Sequence, residues 1–419
     1  MTKKKTLFIT IFILLAVLGI GMTSFKQVSV GNLLGSTDVQ EREFMEIDCT
    51  AGNPNCPRLA ISGDFADKSK FHGFADPSMR RDPNSGIIWL AYSWPHVVRS
   101  GSGLWSWFSR PDVAVDIHLA RSNDGGASWK YAGQLWQAHT VLNPVTKVNN
   151  IVSYETANIS AQNKNGKTIW HAIHWDYLLK PGGFIYSQIG RYSYFRLSMV
   201  SSPYRLASAR SQILGFGGTA NELNPDVNLT SLHPGLADCK VWTEPALTTQ
   251  GDRLYLAARC LHFLGAIPLA KKDFYAVFST DMRGDIKRWI WKYNGKIAGS
   301  ADAADLDNHQ FLTQFDFAQK SDGRLLAVMT PADAGGPQGE MYYDCRVLQV
   351  SSLNPPALSR DAYGKLKVFA KITASDLTAG NGACAYDPSA KTGLIITRKL
   401  INDPKYGYYW TLHKTGLKP

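Results

Sequence analysis

A chain of 419 residues that is 44% apolar, 11% aromatic and carries 36 glycines has ample material for a folded core, which excludes a disordered or low-complexity chain. The formal charge of +11 favours an acidic partner: an anionic sugar, a phospholipid surface or a nucleic acid. No dense Lys/Arg run occurs beyond Lys3 to Lys5, so nucleic acid is not an expected partner.

The N-terminus reads as an export signal. Lys3, Lys4 and Lys5 precede a nearly unbroken apolar run from Leu7 to Met22, and positive charge before such a run holds that end in the cytoplasm. Residues 1–25 are therefore expected to form a hydrophobic helix, either a signal peptide or a signal anchor. The remainder is expected outside, secreted or on the periplasmic or extracellular side, attached to the membrane through residues 7–22 if the signal is uncleaved. Residues 26–57 form a polar linker ending in a Cys49 to Cys56 loop, and residues 58–419 form the main domain. Six cysteines suit an oxidising compartment. Pairing Cys49 with Cys56, Cys239 with Cys260 and Cys345 with Cys384 is one of fifteen connectivities. Without C-x-x-C or paired-His spacing no metal is expected, and without a nucleotide loop no cofactor.

From residue 75 a unit recurs: an alternating strand, a polar turn with glycine, then a strongly apolar β-rich strand. Its copies start at Ala75, Glu155, Glu244, Phe311 and Ala383, with turn glycines at Gly86, Gly166, Gly251, Gly323 and Gly393. Strand repeats of this length predict an all-β chain, a β-propeller of four-stranded blades. Five blades are expected, with Leu59 to Phe65 as the strand completing the last, and the region Ile185 to Pro234 leaves room for a sixth. Between Asp116 and Trp129 the first copy continues into a strand and a turn, in which Asp124 can accept backbone N–H groups and Trp129 can cover the hairpin.

In a propeller the innermost strands line one channel, so polar groups at their starts converge. Those groups are Asp76, Glu155, Glu244, His309 or Asp316, and Tyr386. Carboxyls gathered in one funnel suit glycoside hydrolysis, where one donates a proton and another activates water or attacks. The aromatics Trp94, Trp105, Trp107, Phe108, Trp175 and Tyr177 are candidates to stack on sugar rings or a protein partner.

The spacing Ser122, Asp124, Gly126, Ser128, Trp129 resembles the Asp-box (BNR repeat) of the sialidase superfamily, which implies a propeller and a structural role for those residues. Glu244 followed by Arg259 is similar to that family's Glu and Arg segment. The resemblance implies that Glu244 polarises a tyrosine nucleophile, for which Tyr386 is the candidate, and that Arg259 and Arg346 bind a substrate carboxylate. The family's first arginine is missing, since its place reads Ala75-Asp76-Pro77. That segment resembles instead the five-bladed arabinanase and xylosidase clan, which implies Asp76 as base, Glu155 as pKa-tuning acid, Glu244 as acid and His309 as the central histidine. The resulting expectation is an exported carbohydrate-active propeller, a sialidase-like exo-glycosidase acting on glycans. The alternatives are a membrane-anchored non-catalytic subunit that binds a glycan or a protein partner, an arabinanase-like two-carboxylate glycosidase, or a lyase on the same scaffold.

Overall fold

The computed structural model describes residues 44–50, 52–64, 72–99, 112–142, 147, 149–179, 193–216, 224–239, 241–264, 267–334, 340–374, 381–400 and 409–419. The expected N-terminal helix of residues 1–25, most of the linker, and Trp105, Trp107 and Phe108 lie outside them.

The described chain is all-β and propeller-like. Its first sheet runs outward through Ala75–Arg81, Ile88–Arg99, Asp112–Ser122 and Trp129–Trp136, each strand antiparallel to the last. The second begins at Asn149–Lys164 and continues through Lys167–Leu179, Ser193–Val200 and Ser211–Gly215. The third comprises Val241–Gln250, Arg253–Leu261, Phe274–Asp281 and Trp291–Gly299. Phe311–Gln319, Leu325–Ala334, Cys345–Leu353 and Val368–Thr373 build the fourth, and Met45–Asp48 adds a parallel strand at its edge. The last holds Asn381–Ala385, Ile395–Leu400 and Tyr409–Lys414. Its fourth strand is His72–Gly73, parallel to Tyr409–Trp410. The expectation for Leu59 to Phe65 is thus corrected: Leu59 N–H donates to Leu412 at 2.8 Å, but Ile61–Ser62 pairs with Trp129–Lys130 of the first sheet.

The first strands of successive sheets contact one another in order, and the strand at Asn381–Ala385 returns to the one at Ala75–Arg81. The second strands explain the apolar runs in the sequence: in Leu254–Leu261 every residue is buried, as a strand covered on both faces requires. The turn glycines Gly86, Gly166, Gly251, Gly323 and Gly393 all take positive φ, between 57° and 84°, where a side chain would cost energy. At Gly393 a Cβ would also lie 2.4 Å from the Leu417 carbonyl oxygen.

The turn at residues 122–129 forms as its residue types demand. Asp124 accepts from the Ser128 N–H at 3.0 Å, from the Ser128 hydroxyl at 2.6 Å and from the Ser122 hydroxyl at 2.7 Å. The buried Trp129 ring donates to the Gly126 carbonyl at 3.1 Å, and the Gly125 carbonyl accepts from the backbone N–H of Lys391, in the turn between the first two strands of the last sheet, at 2.6 Å. This turn therefore ties the first sheet to the last. Three disulfides, Cys49–Cys56, Cys239–Cys260 and Cys345–Cys384, match the expected pairing, and the third joins the fourth sheet to the last.

Candidate functional site

Each innermost strand is interrupted at one position. In the first sheet Ala75 pairs with Ser93 and Ser78 with Ala91, so Asp76 and Pro77 oppose a single residue. The same two-against-one step places Thr156 and Ala157 opposite His174, Glu244 and Pro245 opposite Ala258, and Gln314 and Phe315 opposite Met329. These are β-bulges, which bend a strand and re-aim a side chain. The first residue of each pair has positive φ: 45° at Asp76, 52° at Thr156, 52° at Glu244 and 53° at Gln314. Such a conformation is costly for any residue with a Cβ, most of all for a β-branched threonine. All four residues line one cavity together with Asn158 and Asp316.

Their hydrogen bonds connect them. Gln314 bridges the two acids: its backbone N–H donates to Glu244 Oε2 at 3.0 Å and its Nε2 to Asp76 Oδ1 at 3.1 Å. Glu244 also accepts from the Thr313 hydroxyl, from the Tyr275 hydroxyl at 2.7 Å and from Arg259 Nη1 at 3.4 Å. Asp76 is held on its other flank by Ser93, whose hydroxyl accepts the Thr156 N–H at 3.0 Å. Burial pushes the Asp76 carboxyl up to about 7, the Glu244 charge adds to the rise, and the Ser93 hydrogen bond opposes it. Asp76 therefore carries its proton over a pH range in which an ordinary carboxyl has lost it.

Two residues further along the second and fourth innermost strands, Asn158 and Asp316 form a second polar layer of the same cavity. Asp316, buried, pairs with Arg80, whose Nη1 donates at 3.1 Å, and accepts from Asn158 Nδ2 at 2.7 Å. Asn158 in turn accepts the Leu247 N–H at 2.9 Å. One side chain from each of the first, second and fourth sheets thus meets a backbone N–H of the third. Burial raises the Asp316 carboxyl, against the pull of Arg80.

The other expected site residues fall elsewhere. Glu155 is one residue before the bulge and pairs with Trp175; it lies beside the buried Tyr177 hydroxyl, which burial and the Glu155 charge hold well above the usual tyrosine range. Tyr386 lies past the end of its strand and does not meet Glu244. Its ring is buried among Cys384, Leu394 and Ile396, its hydroxyl donates to Pro419 at 3.4 Å, and burial pushes it up to about 12. The tyrosine on Glu244 is Tyr275, which is 0% exposed and also accepts the Phe315 N–H at 3.2 Å.

Arg259 and Arg346 are each 2% exposed and are bound to the chain's own carboxylates. Arg259 Nη2 donates to Asp273 at 2.9 Å, its Nη1 to Thr313 at 2.8 Å, and its guanidinium lies 4.4 Å from the Phe311 ring centroid. Arg346 pairs with Asp344 at 2.6 Å and with Asp307. His309 stacks on Tyr343, with 4.5 Å between centroids, and its Nδ1 lies 3.3 Å from Asp333. Of the aromatic candidates, Trp175 and Tyr177 are core, and Trp94 stacks on His118 at 4.7 Å.

Among the described residues the set Cys239, Cys260 and His262 has metal-ligand proximity, but the two cysteines are bonded to each other and have no thiolate to offer. Sequence reasoning did not reach Thr156, Tyr275 or Gln314. Tyr275 had a signal: it stands directly opposite Arg259 in the antiparallel register.

No protein-family model and no curated protein matches the chain. Solved structures resemble it. One is a glycoside hydrolase family 43 arabinoxylan arabinofuranohydrolase from Bacillus subtilis in complex with cellotetraose, at 13% identity over 82% of this chain and 63% of that one, TM-score 0.44. Another is an alpha-L-arabinofuranosidase from Lactobacillus brevis, at 11% identity over 85% and 94%, TM-score 0.40. A third is Trypanosoma rangeli sialidase in complex with sialic acid, at 10% identity over 88% and 58%, TM-score 0.36. At this distance function is read from the site itself.

Proposed function

We propose that this chain is an exported, carbohydrate-active five-bladed propeller that hydrolyses glycosides at Asp76 and Glu244. The observation that carries the reading is the pair itself: a carboxyl pushed up to about 7 faces a second one held by a guanidinium, two hydroxyls and a backbone N–H, and Gln314 joins them. Two acids in contrasting environments suit glycosidic cleavage, one moving protons and the other holding negative charge. Asp76, protonated up to neutral pH, gives its proton to the leaving oxygen as the glycosidic bond breaks, and its carboxylate then takes a proton from the water that adds to the anomeric carbon, which restores the acid. Glu244 serves as fixed negative charge, stabilising the positive charge that develops on the sugar ring. Because four donors occupy its oxygens, Glu244 is a poor attacking group, and a tyrosine nucleophile gains no support from the burial of both Tyr275 and Tyr386. Arg259 and Tyr275 position Glu244.

Lys3 to Lys5 and the apolar run Leu7 to Met22 support delivery to the outer side of a membrane, with residues 1–25 as signal or anchor. The test is release of product from fluorogenic arabinosides, xylosides, galactosides and sialosides by residues 26–419, with Asp76→Asn and Glu244→Gln alongside. Turnover of at least one glycoside, lost in both variants, is expected. The second reading, a non-catalytic glycan-binding propeller, is favoured by the engagement of Arg259 and Arg346 with internal carboxylates. Glycan binding with no turnover of any substrate is its signature.

A further inference from the structure

The bulge residues leave part of their hydrogen-bonding capacity unused. Thr156 Oγ1 and Gln314 Oε1 are buried and have no hydrogen-bond partner among the described residues. Both residues line the cavity that Asp76 and Glu244 share, and the space between them admits at least one oxygen atom. A buried polar atom left unpaired is costly, and so is a threonine at a φ of 52°. Folding gains nothing from either, whereas a ligand that completes the hydrogen bonds does.

The chemistry of the space selects that ligand. Gln314 Oε1 accepts only, so the incoming group must donate. Thr156 can donate or accept. The remaining neighbours are the Asp76, Glu244 and Asp316 carboxyls, so a carboxylate or phosphate would meet acceptors, and Arg80 and Arg259 are already paired. A small neutral group that both donates and accepts is a hydroxyl, that of water or of a sugar that displaces the water.

We propose that Thr156 and Gln314 form the seat for a single hydroxyl of the sugar on which Asp76 acts, and so determine which hydroxyl configuration the site accepts. This rests on the carbohydrate reading above. Thr156→Val removes the hydroxyl at constant shape and keeps a β-branched residue at the strained position. Gln314→Met removes the amide at similar length.

The experiment measures binding and not turnover, by calorimetry of the full chain with free L-arabinose, D-xylose and D-galactose and their monodeoxy analogues. At least one sugar is expected to bind wild type and to lose about tenfold in affinity with Thr156→Val and with Gln314→Met. One monodeoxy analogue of that sugar should bind wild type and Thr156→Val equally, because the group that the threonine meets is gone. The inference is overturned if no sugar binds wild type, if both variants bind as wild type does, or if every deoxy analogue still distinguishes them. It stands apart from the hydrolase reading: Thr156-dependent binding with no glycoside turnover removes the hydrolase and keeps the seat, and Asp76-dependent turnover with binding unchanged in both variants does the reverse.

Discussion

Asp76→Asn should make the protein more stable while it removes activity. A carboxyl raised from 3.8 to about 7 by burial and by the Glu244 charge holds its proton more tightly folded than unfolded. Its contribution is complete below the unfolded pKa and is lost as pH rises through the folded one, since above pH 7 the folded chain must bury an ionised group that the unfolded chain exposes to water. A rise from 3.8 to about 7 corresponds to about 4 kcal/mol. Asp76 keeps part of its surface exposed, which screens some of that, so a gain of about 2–3 kcal/mol is expected for asparagine at pH 8. Asparagine keeps an oxygen for Gln314 Nε2 and does not ionise. The assay is urea unfolding followed by tryptophan fluorescence, disulfides intact, at pH 4 and pH 8. The variant should match wild type at pH 4 and exceed it at pH 8. A variant no more stable than wild type at pH 8 refutes the strained-acid account and makes Asp76 an ordinary hydrogen-bond acceptor.

Further predictions concern the scaffold. Arg80→Met should destabilise at neutral pH by about 3–5 kcal/mol, because it leaves Asp316 buried without its counter-charge; the loss should shrink as Asp316 is protonated in acid, which denaturant titrations across pH would show. His171, buried beside Trp289, is pulled down to about 4 by burial, so its neutral form is bound up with the fold. The His171 contribution to stability should fall from pH 6.5 toward pH 4, opposing the rise that Asp76 gives over the same range, so His171→Phe should be about 3 kcal/mol less destabilised than wild type by that change of pH. Replacing Cys345 and Cys384 by alanine opens a 39-residue separation between the fourth sheet and the last and should cost about 4 kcal/mol. Asp124→Ala should lower Tm by loosening the turn at 122–129, with kcat/KM for any glycoside unchanged; lost activity would tie that turn to the site.

Much of the fold was legible because its signals are local. Strand alternation and five turn glycines mark the repeat, and the residue types at 122–129 predict their own hydrogen bonds. Asp76 and Glu244 stood out as acids before proline at the start of an innermost strand. What escaped was decided by register. A bulge shifts the inward-facing position by one residue, so Glu155 was chosen where Thr156 faces the cavity. Tyr386 carries the right side chain, but its strand places it beyond the bulge and in the core. Arg259 and Arg346 are held partly by remote carboxylates, Asp273 and Asp307, although Asp344 lies only two residues before Arg346. Gln314, a neutral amide in an apolar run, has no sequence pattern, yet it links both acids.

The pH dependence of kcat/KM on whichever glycoside is cleaved addresses the central claim most directly. With Asp76 as proton donor the profile should fall above about pH 7, with the midpoint that the buried carboxyl sets, and Asp76→Asn should remove activity at every pH. A wild-type profile flat from pH 5 to pH 9, turnover retained by Asp76→Asn, or no turnover at all would contradict it.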